Sequence, residues 1–130
     1  MKETTGNLID LAEQGRYDVI VHGCNCQNVM GAGIAKEIKR RYRMAWEVDC
    51  SAFRNRLNDL GMISVVGVGK FHIVNAYTQR TIGKGLQTDY SAIRMCFTKI
   101  KELFSGQRIG FPLIGCVHIV TGKQIGRAHV

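Results

Sequence analysis

The sequence lacks any hydrophobic stretch of the kind that crosses a membrane, because no run approaches about 18 consecutive apolar residues. The first ten residues, MKETTGNLID, lack the apolar core of a signal peptide. Proline occurs once, and the 130 residues, which suffice for one domain, contain no low-complexity tract or internal repeat. Five cysteines without a secretion signal are typical of reduced thiols. We therefore expect a cytoplasmic protein without a membrane partner.

Acidic residues are also few, with 10 Asp and Glu against 18 Lys and Arg, giving a net charge of +8. This excess indicates an anionic partner, such as nucleic acid, a nucleotide or a phosphorylated small molecule. The alternative, that basic helix faces only keep the protein soluble, stays open. The densest basic run, residues 36–43, contains a single aromatic residue, Tyr42, in helical register with Ile34 and Ile38. Because nucleic-acid binders interleave aromatic with basic residues, we rank nucleic acid last among these partners.

Apolar periodicity and turn residues predict strands that alternate with helices. The expected order is a short N-terminal strand, a helix capped by Asn7 and closed by Gly15, a strand at 17–22, helices at 33–41 and 45–60, strands at 62–68 and 70–76, a helix at 89–104 capped by Thr88, and a strand at 108–116. The face Trp46, Cys50, Phe53, Leu57 and Leu60 is the predicted buried face of the 45–60 helix. This order indicates an α/β sandwich with a largely parallel sheet, whose ligands bind at the carboxyl ends of the strands.

The segment HGCNCQNVMGAGIAK, residues 22–36, is the most informative in the chain. His22, Cys24 and Cys26 alternate, so on an extended strand they point to one side. A structural zinc site normally adds a second, distant pair of ligands, and the other three cysteines stand alone in the sequence. We therefore expect no metal site.

Two further interpretations of the same segment remain. Cys26 precedes the start of a predicted helix, where a thiol can be activated, although packing is the commoner role of such a cysteine. Gly31 and Gly33 lie at the N-terminus of that predicted helix, where free backbone N–H groups favour an anion. The pattern fits neither common nucleotide motif. A phosphate cradle is the favoured hypothesis.

Three segments together, TGNL, DVIVHGCNCQNVMGAGIA and RIGFPLIGC, resemble the macro domain family in order and spacing. The resemblance covers about residues 4–116, and we take residues 1–116 as the domain. It implies an α/β fold, a three-layer α/β/α sandwich with a mixed, largely parallel sheet, that binds ADP-ribose or an ADP-ribosylated substrate without a cofactor. The HxCNC turn and GxGIA loop are most similar to the branch that hydrolyses ADP-ribose 1″-phosphate. They are also similar to the branch that removes ADP-ribose from modified glutamates or nucleic acid.

The resemblance also implies roles for individual residues. His22 matches a histidine with a catalytic role, and a histidine exchanges a proton near neutral pH. Asn25 would hold and orient the distal ribose beside it, and Asn7 would lie near the adenine amino group. The implied ligand-binding residues are Asn7, Leu8, Met30, Gly31, Ala32, Gly33, Ile34, Gly115 and Cys116. The alternative is that His22 has only a structural role, as a histidine at the end of a strand that is hydrogen-bonded to the backbone.

The sequence departs from the family pattern at several of these positions. The family's adenine-binding Asp is Asn7 here, whose amide oxygen can still accept a hydrogen bond but carries no charge. The Asp of the main mono-ADP-ribosyl hydrolases corresponds to Ala35. No lysine stands near Asn75 and Ala76, where the glutamate-cleaving branch has its nucleophile, and Lys84 lies further along the loop. These departures argue against both of those hydrolase mechanisms.

The largest departure follows Cys116, where the family continues with a glycine-rich phosphate loop, a helix and a strand. Here Val117 and His118 replace the glycines. The last six residues, IGRAHV, correspond to one reading frame of a common sequencing-library adapter. We therefore interpret residues 117–130 as a tail outside the family pattern that derives from sequencing or assembly, and expect the C-terminal family elements to be missing.

Three functions follow from the sequence. The first is an enzyme that hydrolyses an ADP-ribose derivative, with ADP-ribose 1″-phosphate as the leading substrate and His22 and Asn25 as catalytic residues. The second is a module that binds ADP-ribose without turnover, which Ala35 favours. The third is a nucleic-acid binder that uses the basic residues of the 36–43 run. We rank it last because an amphipathic helix needs such residues on its solvent face.

Overall fold

The computed structural model of the chain describes residues 2–4, 7–82, 88–112 and 125–128. Within these ranges the bounds of the helices and strands are β1 Lys2–Thr4, α1 Leu8–Glu13, β2 Val19–Asn25, α2 Gly33–Arg41, α3 Arg43–Arg54, β3 Ile63–Gly67, β4 His72–Gln79, α4 Tyr90–Leu103, β5 Ile109–Pro112 and β6 Ile125–Ala128. No helix in these ranges is both long and apolar enough to span a membrane.

The strands form one sheet in the order β1-β6-β5-β2-β4-β3. Neighbouring strands run parallel, except that β3 and β4 pair antiparallel. The predicted mixed, largely parallel sheet is therefore confirmed. His22 on β2 lies opposite Asn75 on β4, so these two parallel strands end at the same edge of the sheet. Ligands of open α/β sheets bind at this carboxyl edge.

Helices cover both faces of the sheet. Successive strand residues point to opposite sides, so each central strand contributes side chains to the core on both faces. On β2, Val19 and Val21 pack in the core cluster beneath α4, whereas Ile20 packs in the cluster beneath α1 and α2. On β4, Val74 and Ile73 divide between the two clusters in the same way. Strands that are apolar on both faces are typical of sheets covered by helices. The three-layer α/β/α sandwich is thus confirmed.

The predicted capping residue is confirmed for α1 and wrong for α4. Asn7 caps α1, and its Oδ1 accepts hydrogen bonds from two first-turn N–H groups at 2.9 and 3.2 Å. α2 spans Gly33–Arg41, as predicted. The predicted capping role of Thr88 is wrong, because Asp89 caps α4 and accepts from the N–H of Ala92 at 2.9 Å. A carboxylate is a stronger N-cap than a threonine hydroxyl.

α3 is shorter than the helix predicted over residues 45–60. It covers Arg43–Arg54, and Asn55 follows as its C-cap. Arg56 then adopts a φ of +57°. A positive φ takes the backbone out of the right-handed helical region, so the helix ends before Leu57.

The buried face of α3 also differs from the predicted face. Phe53 is 47% exposed and Leu57 is 53% exposed, although both belong to the predicted apolar face. The buried positions are instead Ala45, Asp49 and Ala52. The prediction is confirmed for Trp46, which packs against the core, and wrong for Phe53 and Leu57. Asp49, only 1% exposed, is buried instead because its carboxylate has hydrogen-bond donors inside the core. The spacing of apolar residues does not reveal hydrogen-bond donors that come from other parts of the chain.

The C-terminal part of the chain is described only in part. β5 covers Ile109–Pro112, and residues 113–116 of the predicted 108–116 strand lie outside the described residues. Ile125–Ala128 form β6, which lies in the sheet between β1 and β5. The predicted domain boundary at residue 116 and the predicted origin of residues 117–130 stay predictions.

Candidate functional site

The candidate site begins where β2 reaches the carboxyl edge of the sheet. β2 continues past the predicted end at His22 to Asn25, and its register with β4 shifts between Cys24 and Asn25. The backbone N–H of Cys26 then donates to the carbonyl of Gln79 at 3.1 Å. These contacts fix the start of the loop to the end of β4. The loop leads from there directly to α2.

Asn25 closes this loop on itself with its own side chain. Its Oδ1 accepts hydrogen bonds from the backbone N–H groups of Gln27 and Val29, at 3.0 and 3.3 Å. Its Nδ2 donates to the carbonyl of Val29 at 2.8 Å. An amide has two donor N–H bonds and two acceptor lone pairs. Asn25 therefore has one N–H left for a ligand, which suits an acceptor oxygen such as a ribose hydroxyl.

The loop then opens into the N-terminus of α2. Met30 is 2% exposed and anchors the loop in the core, whereas Gly31 and Ala32 are exposed. The N-cap residue Ala32 makes no side-chain capping hydrogen bond, and Gly33 adopts a φ of +57°. The first N–H groups of a helix have no partner within the helix. Gly33 and Ile34 thus present backbone donors at a positive helix end, where an anion binds well.

The other predicted ligand-binding residues have different positions. Asn7 is partly exposed and caps α1, so its Oδ1 already accepts two backbone N–H groups. Leu8 is fully buried in the core beneath α1 and α2. Gly115 and Cys116 lie outside the described residues. Their predicted role at a second phosphate loop stays a prediction.

His22 is fully buried and precedes Asn25 by three residues on β2. Its Nε2 lies 2.6 Å from Oδ1 of Asn75. Asn75 donates through Nδ2 to the carbonyl of Ala45 and to Oγ of Ser64, so its Oδ1 is the acceptor and His22 donates. Burial lowers the pKa of His22, and the Asn75 hydrogen bond and the charge of Asp49 offset this only in part. The ring is therefore neutral near pH 7, with its proton on Nε2.

Asn75 continues a chain of hydrogen bonds that runs from His22 to a buried carboxylate. Asn75 donates to Oγ of Ser64 at 3.0 Å, and this oxygen lies 2.9 Å from the hydroxyl of Tyr77. Tyr77 donates to Oδ1 of Asp49 at 2.7 Å, so the Ser64 hydroxyl donates to Tyr77. Along this series of hydrogen bonds, from His22 to Asp49, each donor points toward Asp49. We call these residues, from His22 to Asp49, the buried network.

The buried network reaches the loop between β2 and α2, residues 26–32, through Asn28, and we call this segment the ligand loop. Asn28 donates through Nδ2 to Oδ2 of Asp49 at 2.9 Å, and its backbone adopts a φ of +59°. Asparagine tolerates this left-handed conformation better than most residues. Asp49 thereby ties the loop to α3. Sequence reasoning missed Asn28 and Asp49, because the donors of Asp49 lie 21 and 28 residues away along the chain.

The cysteines of the segment are not activated thiols. Burial raises the pKa of the Cys24 thiol well above its ordinary value, and burial also raises the pKa of Cys26. Cys24 lies in the core with Met30, and its Sγ is 3.7 Å from Nδ1 of His22. In the described part of the chain, no group of three or more His, Cys, Asp and Glu residues is arranged to hold a metal ion.

A cavity of about 580 Å³ opens beside Cys26, and we call it the arginine cavity. Its walls include Cys26, Phe53, Arg54, Arg56, Asn58 and Arg80. Asn58, 8% exposed, donates through Nδ2 to the carbonyl of Cys26 at 3.0 Å. Sequence reasoning missed this cavity, because its arginines come from the end of α3, the following turn and the end of β4.

Both the sequence and the fold are similar to those of known proteins. A model of the macro domain family matches residues 21–124, which is more than half of the chain. The "Uncharacterized 17.5 kDa protein in tk-vs intergenic region" of Enterobacteria phage T4 is 29% identical over 134 residues. That alignment covers 99% of this chain and 82% of the phage protein.

Solved structures share the same fold. The macrodomain of Mycobacterium tuberculosis DarG superposes with a TM-score of 0.76 at 20% identity, covering 99% of this chain and 97% of that one. DarTG of Thermosipho africanus, solved in complex with ADP-ribose, superposes with a TM-score of 0.77 at 13% identity. This second match covers 99% of this chain and 41% of that one. At these sequence identities, the structural similarity shows only that the fold is shared.

Proposed function

Because this chain belongs to the macro domain family, we propose that it binds ADP-ribose at the carboxyl edge of its sheet. The observation that carries the proposal is the N-terminus of α2, where Ala32 provides no side-chain cap and Gly33 has a φ of +57°. A diphosphate carries the charge that such a helix end favours. The ADP-ribose bound to the structurally similar Thermosipho africanus DarTG supports the choice of ligand.

The remaining ligand contacts are assigned by the family resemblance. Asn25 would donate its remaining N–H to the distal ribose, and the backbone of Met30 to Ile34 would surround the diphosphate. Asn7, the N-cap of α1, would lie near the adenine, and Leu8, whose side chain is fully buried, would contribute only through its backbone. Gly115 and Cys116 would complete the diphosphate site.

Thermal unfolding with and without excess ADP-ribose tests the binding proposal. A ligand that binds only the folded state adds about 2.7 kcal/mol at 100 times its dissociation constant. We expect one cooperative transition whose midpoint rises with ADP-ribose. A cooperative transition that ADP-ribose leaves unmoved would contradict the proposal.

Two glycine variants locate the binding site. Both Gly33 and Gly106 have positive φ values, +57° and +80°, and an added Cβ would meet no atom within 4 Å at either position. An alanine therefore costs about 1–2 kcal/mol of backbone strain at either position without a clash. Gly33→Ala should also weaken ADP-ribose binding, whereas Gly106→Ala should preserve it. Equal affinities in the two variants would remove the α2 N-terminus from the site.

We further propose that the protein hydrolyses ADP-ribose 1″-phosphate. Water would attack the phosphorus and break the bond to the 1″ oxygen, giving ADP-ribose and inorganic phosphate. Asn25 and His22 are the catalytic residues assigned by the resemblance. Because the ring of His22 is fully buried and its Nε2 is bonded to Asn75, direct proton transfer requires the ring to become accessible to the substrate.

Release of inorganic phosphate from ADP-ribose 1″-phosphate tests this activity. We expect turnover by the unaltered chain and a loss of about 100-fold in kcat for Asn25→Ala and His22→Ala if both take part in catalysis. Folding of each variant is checked by its unfolding transition. A folded His22→Ala variant with full kcat would remove His22 from the mechanism.

The second candidate is binding without turnover. The burial of His22 favours it, because burial lowers the pKa of the ring and keeps it away from solvent. Tight ADP-ribose binding, together with no phosphate release and no cleavage of ADP-ribosylated protein or nucleic acid, would establish this second function.

A further inference from the structure

We propose that the arginine cavity binds the phosphate group carried at the 1″ position of the distal ribose. This inference rests on the proposed function, since it places the ribose beside Asn25. In this proposal, Arg54, Arg56 and Arg80 make the protein bind the 1″-phosphorylated form more tightly than ADP-ribose.

The position of the cavity is the first support. Cys26, in its wall, directly follows Asn25. The N–H of Cys26 also approaches the carbonyl of Arg80 at 3.3 Å. The cavity therefore lies at the carboxyl edge, where β2 and β4 end side by side. The residue proposed to hold the ribose is thus the direct chain neighbour of a residue in the cavity wall.

The charge of the cavity is the second support. Three arginines and one carboxylate, Asp59, line it. Arg80 pairs with Asp59 at 3.3 Å, and both side chains are well exposed. Arg54 and Arg56 have no ion pair within the part of the chain that the structure describes. A phosphate would supply the missing partner, and the planar guanidinium group matches its oxygens.

The backbone of Arg56 is the third support. Its φ of +57° lies in the left-handed region, where a side chain costs about 1–2 kcal/mol and glycine does not. The residue follows the C-cap of α3, a position that glycine and asparagine normally occupy. The fold thus holds an arginine at a position where glycine would fit the backbone better. A contact between its guanidinium group and a ligand would account for an arginine at this position.

The cavity is large enough to hold the proposed phosphate group. A volume of about 580 Å³ lies within the usual range of ligand sites. Asn58 fixes one wall by its hydrogen bond to the Cys26 carbonyl. Phe53, 47% exposed, provides an apolar side. The space accommodates a phosphate together with part of the ribose.

Dissociation constants for ADP-ribose and for ADP-ribose 1″-phosphate test the proposal, and they are obtained from stopped-flow association and dissociation rates measured before any phosphate is released. The unaltered protein should bind the 1″-phosphate at least about tenfold more tightly, the amount that one hydrogen bond to a charged group contributes. Arg56→Gly and Arg80→Gln should each bring the ratio of the two constants toward one. Arg56→Gly should also keep or raise the melting temperature, which separates lost binding from lost folding.

Arg94→Gln is the matched control. Arg94 is exposed on α4, which covers the opposite face of the sheet from α3. The substitution removes the same charge as Arg80→Gln and should leave the ratio unchanged. If ADP-ribose binds but the ratio equals one, or the cavity variants keep the full ratio, the inference fails while the proposed binding function stands. If ADP-ribose does not bind at all, both fail.

Discussion

The buried network and the arginine cavity lie at the same edge of the sheet but have opposite hydrogen-bond balances. In the buried network each donor from His22 to Tyr77 has an acceptor, and the chain ends on the fully desolvated Asp49. In the arginine cavity, Arg54 and Arg56 have no ion pair within the described ranges. A matched buried network stabilises a scaffold, whereas unmatched surface charges leave room for a ligand to supply the partner.

The largest effect is expected from breaking the network at its acceptor. Asp49→Ala leaves the hydroxyl of Tyr77 and the amide of Asn28 without an acceptor in the core. Each lost partner of a buried donor costs about 1–3 kcal/mol, so we expect the free energy of unfolding to fall by about 3 kcal/mol. Urea denaturation measures this. Asp49→Asn, which keeps one acceptor oxygen, should lose less, and a loss below about 0.5 kcal/mol in Asp49→Ala would contradict the scaffold role.

A smaller effect is expected from the titration of His22. Burial lowers its pKa in the folded state below the unfolded value of about 6.5. The unfolded chain therefore binds more protons below pH 6.5, and stability falls as the pH drops from there toward the folded pKa. The slope in this window reaches about 1.4 kcal/mol per pH unit.

Unfolding free energies between pH 7.5 and 5 measure this contribution, as the difference between the unaltered chain and His22→Gln. The variant should lose the slope that His22 provides. His72→Gln, at an exposed position of β4, retains His22 and should keep it. A pH profile that is the same with and without His22 would contradict the neutral buried ring.

The smallest effect is expected at the rim of the arginine cavity. Asp59→Asn removes the carboxylate that pairs with Arg80 at 3.3 Å. Exposed ion pairs contribute less than about 1 kcal/mol to stability, so the melting temperature should hardly change. Affinity for ADP-ribose 1″-phosphate should instead rise by about threefold, because Arg80 is released and one negative charge is removed. Weaker binding of the 1″-phosphate would contradict the proposed orientation.

Much of the fold follows from local sequence signals. Asn7 before an apolar helix and the apolar run of β2 each carry their structural meaning within a few residues. Gly33 likewise marks the start of α2. The layered architecture then follows, because alternating strands and helices allow few arrangements.

The rest depended on contacts between distant parts of the chain. Asp49 looks like a solvent-facing helix residue, and only the hydroxyl of Tyr77 and the amide of Asn28 make its burial favourable. The arginine cavity likewise exists only once the end of α3 meets the end of β4. The sequence marked the ligand loop through its glycines, but it contained no local signal for Arg56 or Arg80.

The double anchoring of the ligand loop has a consequence for binding kinetics. Asn25 closes the loop from inside, and Asn28 ties it to Asp49. The loss of conformational entropy therefore occurs when the chain folds and is absent from the association step. ADP-ribose should bind in a single step whose observed rate rises linearly with ligand concentration, without the plateau that a slow rearrangement produces.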